Sequence, residues 1–155
     1  MAQPTRRTRA APAPSVRTAE TQASALRQTR HKHSSETAED YVEAIAELTE
    51  SVGEARAVEL ARRLGVSHVT VIRTVSRLQR DGYLSTRPYR AIFLTEKGRA
   101  LARESRERHH LVVEFLRSLG IPEAAAQADA EGIEHHVSAD TLAAFKRHLA
   151  SRARG

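Results

Sequence analysis

The stretch that most narrows what this chain can fold into is residues 57–78, AVELARRLGVSHVTVIRTVSRL. A short amphipathic run, 57–64, stops at Gly65, and glycine takes the left-handed conformation that closes a helix. Ser67 follows with the hydroxyl an N-cap needs. A second run, 68–81, then carries Val71, Val75 and Leu78 along one stripe. Ala61 is small where two crossing helices come close. Two short helices around a glycine turn are the signature of a helix-turn-helix. Ser67 opens the second helix, and its outer face presents His68, Thr70, Arg73, Thr74, Arg77 and Arg80. In a recognition helix the early residues reach base edges and later arginines hold phosphates. The competing reading is a helix pair with a solvated basic face. Turn, cap, stripe and arginine face together favour double-stranded DNA as the partner.

Gly82 ends that helix. Residues 84–95, LSTRPYRAIFLT, then read as two short strands around a basic turn, the wing of a winged helix-turn-helix. Arg87, Tyr89 and Arg90 are placed to reach a phosphate backbone or a minor groove. The charge distribution agrees. Residues 54–90 hold eight arginines against Glu54, Glu59 and Asp81, whereas residues 34–53 hold six acids and no Lys or Arg. A basic patch beside an acidic helix suggests a polyanion surface next to a cation site.

That acidic helix is predicted over about 37–52, with Tyr41, Ile45, Leu48 and Val52 as its apolar stripe. Asp40 and Glu43 lie one turn apart near its start. Carboxylates there also suit the helix dipole, which is reason enough for Glu36, Glu39, Glu47 and Glu50. Beyond the wing, Thr95 caps a long helix, about 96–119, whose one side carries Leu101, Ser105, His109, Val112, Leu116 and Leu119. Its surplus apolar surface, with Val113 and Phe115, suits a subunit interface. Pro122 opens a helix over about 122–136, and Ser138 caps a last one over about 139–149.

The 122–136 helix carries EGIEHH, residues 131–136. Glu131, Glu134 and His135 stand at i, i+3 and i+4, which places two carboxylates and an imidazole on one helical face. Oxygen donors with an imidazole suit a divalent first-row metal. An acidic turn followed by solvated histidines is the plainer alternative, and a histidine such as His109 on a half-buried face is more often hydrogen-bonded than metal-bound. With no cysteine in the chain, disulfides, thiolate catalysis and iron–sulfur clusters are excluded, leaving nitrogen and oxygen ligands. Neither His-Glu-x-x-His nor the paired Glu-x-x-His of ferritin-like di-iron sites occurs, so an enzyme is not expected. No apolar run matches a membrane span or a secretory leader, and the expected location is the cytoplasm.

With these features in view, the chain over about 36–150 resembles the manganese-sensing branch of the diphtheria-toxin-repressor family. The strings that carry the resemblance are DYVE (40–43), GEAR (53–56), ARRLGVS (61–67), ESRERH (104–109) and DAEGIEHHVS (129–138). The resemblance implies a mainly α fold, an N-terminal winged helix-turn-helix followed by a helical metal-binding and dimerisation domain. It implies a homodimer on a near-palindromic operator. Carried over by position, the metal ligands would be Asp40, Glu43, His109, Glu131, Glu134 and His135, holding Mn2+, with two ions per subunit possible and Fe2+ as a substitute. Iron-sensing relatives carry Met in place of Asp40 and Cys in place of Glu131; oxygen donors at both positions fit a harder ion. Ala91 departs from the family, which often has Gly in the wing turn, and the extra C-terminal domain of many iron-type members is not expected. An iron-responsive repressor and a metal-independent winged-helix regulator are the alternatives.

The expected organisation is a disordered basic arm over 1–35, a DNA-binding domain over 36–97 and a dimerisation and metal-binding domain over 98–150. The arm is expected because residues 1–33 hold seven basic residues, one acid and few large apolar side chains.

Overall fold

The computed structural model describes residues 18–86 and 90–153. Among these, six helices and one two-stranded sheet follow in the order α1 (Ala19–Val52), α2 (Ala57–Leu64), α3 (His68–Arg80), β1 (Leu84–Thr86), β2 (Ile92–Leu94), α4 (Glu96–Ser118), α5 (Glu123–Ile133) and α6 (Ala139–Arg152). The mainly α winged helix-turn-helix architecture expected from the sequence is the one observed.

The first helix is longer than the apolar stripe alone indicates. It begins at Ala19, capped by the Thr18 side chain accepting from the Thr21 amide, and runs for 34 residues to a left-handed Gly53. The disordered arm is therefore corrected over 19–35, which are helical; residues 1–17 lie outside the described residues. The physical reason is that Ala, Gln, Arg and Lys are good helix formers, and this stretch continues a helix whose other half is anchored in a core. Its lack of large apolar residues shows up as exposure rather than as loss of helix.

The DNA-binding half packs around Tyr41, Val42, Ile45 and Leu48 of α1, Leu60 of α2, Val71, Val75 and Leu78 of α3, and Leu84 and Ile92 of the hairpin. Burying a side chain such as Leu60 fully contributes about 1.5–3 kcal/mol. The predicted turn chemistry holds: Gly65 has φ 65°, and the Ser67 hydroxyl accepts from the Thr70 amide. The recognition helix ends at Arg80, one residue before the expected limit. β1 and β2 pair antiparallel with Ser85 opposite Phe93, and the Ile92 amide also bonds the Ala55 carbonyl at 2.8 Å, tying the hairpin to the α1–α2 connection.

α4 links the two halves. Thr95 caps it by accepting from the Gly98 amide. At Gly98 a Cβ would stand 2.1 Å from the Tyr83 carbonyl oxygen, so only glycine lets this first turn seat against the hairpin. Further along, Val112, Val113 and Leu116 of α4 meet Ala126 and Ala130 of α5 in a second, smaller core, with Leu142 and Phe145 of α6 packed on it. Phe115 and Phe145 stack with centroids 3.8 Å apart.

α5 is shorter than predicted. It ends at Ile133 rather than His136, and its last bonds loosen: the His136 amide reaches Ile133 three residues back, at 3.0 Å. Gly132 weakens this final turn, and Ser138 already caps α6 by accepting from the Thr141 amide. Glu134 is thus the helix cap, still in helical conformation with its amide on the Ala130 carbonyl, and His135 follows in the turn beyond it.

Candidate metal centre and DNA-facing surface

The six positions predicted as ligands come from three places in the fold. Asp40 and Glu43 lie on α1, His109 on α4, and Glu131, Glu134 and His135 on the last turn of α5 and just beyond it. Donor atoms of His109, Glu131 and Glu134 lie within 4.8 Å of one another. Glu134 is the central residue. Its buried carboxylate places one oxygen 2.8 Å from His109 Nδ1 and the other 3.4 Å from His135 Nε2. His135 Nε2 is also 3.7 Å from Asp40 Oδ1, and Glu131, largely exposed, stands 3.7 Å from His109 Nδ1. Glu43 joins electrostatically: its charge acts on both Asp40 and Glu134.

The outer nitrogen of each imidazole is taken. His109 Nε2 lies 2.9 Å from the Gln127 side-chain oxygen. The Gln127 amide nitrogen donates to Glu123 at 2.8 Å, which turns its oxygen toward the ring, so His109 donates from Nε2 and its Nδ1 lone pair faces Glu134. His135 Nδ1 lies 2.7 Å from Glu39 Oε2, which leaves Nε2 facing Asp40 and Glu134. Glu39 Oε2 also accepts from Arg108 Nη2 at 2.5 Å.

Glu39, Arg108 and Gln127 were not anticipated as part of the site. In the sequence the helix dipole is reason enough for Glu39, yet it is 8% exposed. The available signal was its place beside Asp40, with Arg108 beside His109. His110 and His136, the neighbours of two predicted ligands, are exposed.

Three observations fit this cluster to a cation. Glu43 Oε1 is buried with no hydrogen-bond partner, a costly state for a carboxylate oxygen unless something positive meets it. Across the 2.8 Å gap between His109 Nδ1 and Glu134, lone pair faces lone pair unless a proton or a metal ion lies between. The carboxyls also resist ionising together. Burial pushes Glu134 up to about 7 against the pull of His109 and His135, with Glu43 and Glu131 adding to the rise. Burial likewise pushes Asp40 up to about 6, opposed by His135 and reinforced by Glu36, Glu43 and Glu131. Burial tends to lower His109, but the Gln127 hydrogen bond and the charges of Glu134 and Glu131 outweigh it and hold the group raised. Such a cluster takes up protons or metal ions to offset its own charge.

Away from this cluster in sequence, His68, Thr70, Arg73 and Arg80 are exposed on α3, as is Ser67 at its cap, and Arg90 is exposed beside β2. Thr74 and Arg77 are half-buried, and Arg77 holds two guanidinium nitrogens inside without a partner. Arg87 and Tyr89 lie outside the described residues. Val69 and Ile72, not singled out from the sequence, are exposed at 60% and 46% on the same helix.

The comparison with known proteins adds the decisive finding. The family described as "Iron dependent repressor, N-terminal DNA binding domain" matches residues 33–92. Its companion, "Iron dependent repressor, metal binding and dimerisation domain", matches residues 95–154. The chain belongs to this iron-dependent (diphtheria-toxin) repressor family. It is 50% identical over 121 residues to the transcriptional regulator MntR of Escherichia coli, covering 78% of each protein. The corresponding regulator of Salmonella typhimurium is 51% identical over 120 residues, 77% of this chain and 76% of that one. The Bacillus subtilis MntR is 39% identical over 104 residues, covering 67% and 73%. Among solved structures, a manganese-dependent transcriptional repressor in complex with manganese superposes with a TM-score of 0.66 at 31% identity, over 73% of this chain and 52% of that longer one. The metal-dependent transcriptional regulator MtsR gives 0.66 at 26% identity, over 72% and 53%; the chain thus spans about half the length of these two structures. Members of this family are metal-dependent, DNA-binding repressors and not enzymes, with a domain for dimerisation. No described helix is long and apolar enough to cross a membrane.

Proposed function

We propose that this chain is a manganese-activated, homodimeric repressor that controls manganese-uptake genes from a near-palindromic operator in the cytoplasm. The observation that carries the reading is the position of Glu134 between two imidazoles, at the seam where α1 meets α4 and the end of α5. The proposed ligands are Asp40, Glu43, His109, Glu131, Glu134 and His135. Bound Mn2+ would supply the positive charge that the clustered carboxylates lack. The donors fall on two sides of Glu134, His109 with Glu131 and Asp40 with His135, and this set of residues would hold up to two ions per subunit.

Asp40 and Glu43 sit on the helix that also builds the DNA-binding core. His109, Glu131, Glu134 and His135 belong to the dimerisation half. Without a cation these carboxylates repel one another across the seam and leave the two halves loosely coupled. With their charge offset, the seam closes and narrows the spread of recognition-helix positions across the dimer. Both copies of α3 then enter successive major grooves, where Ser67, His68, Thr70, Arg73, Thr74, Arg77, Arg80, Arg87 and Arg90 are the proposed contacts.

Two features support manganese over a softer metal. Asp40 and Glu131 offer oxygen at the positions where iron-sensing relatives carry sulfur, and the manganese-regulator relatives cover more than two thirds of the chain. An iron-responsive repressor with the same ligands is the second reading, because Fe2+ is nearly as hard an ion. The test is the affinity for a duplex selected from a random library, measured with Mn2+, with Fe2+ under anaerobic conditions, and with chelator. Tighter binding with Mn2+ is expected; equal affinity in Mn2+ and chelator would defeat the proposal. Asp40→Met should shift the response away from manganese, and an unchanged response would remove Asp40 as the selector.

A further inference from the structure

We infer that Glu39 is the positioning residue for His135: locked by Arg108, it holds the ring by Nδ1 and so presents Nε2 to Asp40 and Glu134. The inference deepens the proposed metal centre and rests on that reading.

A carboxylate rarely stays 8% exposed without partners. Glu39 has two, both on the same oxygen: His135 Nδ1 at 2.7 Å and Arg108 Nη2 at 2.5 Å. Neither partner belongs to α1; they lie 96 and 69 residues away. A buried ion pair stapling α1 to α4 would need only Arg108. The imidazole nitrogen at 2.7 Å is the additional fact, and it has a chemical consequence. The other neutral tautomer would set a ring lone pair against the carboxylate and put a proton on the nitrogen facing Asp40 and Glu134. Glu39 excludes that tautomer and so leaves Nε2 open as a donor. Arg108 keeps Glu39 in place, because its charge-assisted bond fixes the shared oxygen between the two elements.

His109 provides an internal contrast. Its outer nitrogen is Nε2 and its partner is the Gln127 amide oxygen at 2.9 Å. The two imidazoles are therefore presented by opposite nitrogens, one backed by a carboxylate and one by an amide. A carboxylate partner makes a ring a stronger donor, and loss of such outer partners lowers metal affinity by about 10–100-fold.

The test uses the full chain, metal-free, labelled with 15N-histidine, at a pH above the histidine range. Long-range proton–nitrogen correlation reads each tautomer without metal, Mn2+ alone is titrated by electron paramagnetic resonance, and circular dichroism checks the fold. In the wild type His135 is expected as the Nδ1–H form. Glu39→Leu should leave a mixture of tautomers at His135 with His109 unchanged, and weaken Mn2+ binding toward the 100-fold end. Glu39→Gln keeps an acceptor oxygen but no charge, so it should keep the tautomer and weaken binding about tenfold. A folded leucine variant that keeps the Nδ1–H form, or binds Mn2+ as tightly as wild type, overturns the inference. Should the leucine variant not fold, unchanged Mn2+ affinity in the glutamine variant overturns it. A wild type that binds no Mn2+ would instead overturn the metal reading beneath it.

Discussion

The two halves of this molecule are held together by opposite kinds of chemistry. The winged helix closes on Val42, Ile45, Leu60, Val71 and Leu78, each 1% exposed or less, with its helix ends capped by Ser67 and Thr95. The seam between α1, α4 and the end of α5 closes instead on Glu39, Glu134, His109 and His135, with a carboxylate oxygen of Glu43 left bare. The first region is stable by burial alone. On the proposed reading, the second gains its full stability only when a metal ion arrives. Conditional stability of that kind is what a sensor needs, and placing it beside an unconditional core lets metal alter the relation of two parts without unfolding either.

The largest expected effect tests the unconditional half. Leu60→Ala should cost about 2–5 kcal/mol, the usual range for a fully buried leucine. Denaturant melts should show the same loss with and without Mn2+; a loss that depends on metal would break the distinction. Next is the seam itself. Free Mn2+ at 100 times its dissociation constant should stabilise the wild type by about 2.7 kcal/mol per site. Glu134→Gln should lose most of that increment while Leu60→Ala keeps it, and thermal melts with Mn2+ or chelator decide.

pH sharpens the same point by a smaller amount. Glu134 and Asp40 titrate near 7 and 6 in the fold, above their ordinary values of 4.5 and 3.8, and His109 is raised above 6.5. Between the unfolded and folded values the native state therefore holds more protons than the unfolded one. By linkage, stability falls as pH rises through that window. Metal-free protein should be more stable near pH 5 than near pH 8, by about 2 kcal/mol, and added Mn2+ should remove most of the slope because metal replaces the protons. A flat metal-free profile would count against the seam as a charged cluster. The smallest effect lies on the DNA face: Arg73→Ala should reduce the slope of log affinity against log salt by about one, with Mn2+ affinity unchanged.

Much of this was legible in the sequence, for reasons that can be named. Gly65, Ser67, Thr95 and Ser138 act through bonds to residues a few positions away, so their spacing alone located the helix ends. The proposed ligands come from pairing local spacing with a family resemblance; the fold sets His109, Glu131 and Glu134 together, with His135 and Asp40 beside them, while Glu43 reaches them through its charge. Glu39 escaped because its partners lie on other elements and its neighbours offered a sufficient local explanation in the helix dipole. The predicted end of α5 runs too far because the i, i+3, i+4 pattern at Glu131, Glu134 and His135 looks helical; the helix instead caps at Glu134, and the turn beyond it seats His135 against Glu39. Residues 19–35 were read by their lack of a core, whereas their backbone follows intrinsic propensity and the anchored helix ahead of them.

On α1, residues of the two regions alternate along the chain: Glu39, Asp40 and Glu43 address the seam, while Tyr41, Val42 and Ile45 address the winged-helix core. No hinge separates sensor from reader, and their relation is an angle around a single axis, about 100° for each residue. Such an arrangement tolerates substitution on either face, so metal preference can drift while the DNA-binding core is conserved. It does not tolerate a change of length. One residue gained or lost within this segment would turn the two faces out of phase, and the chain would keep every group it needs for both tasks while losing the means to connect them.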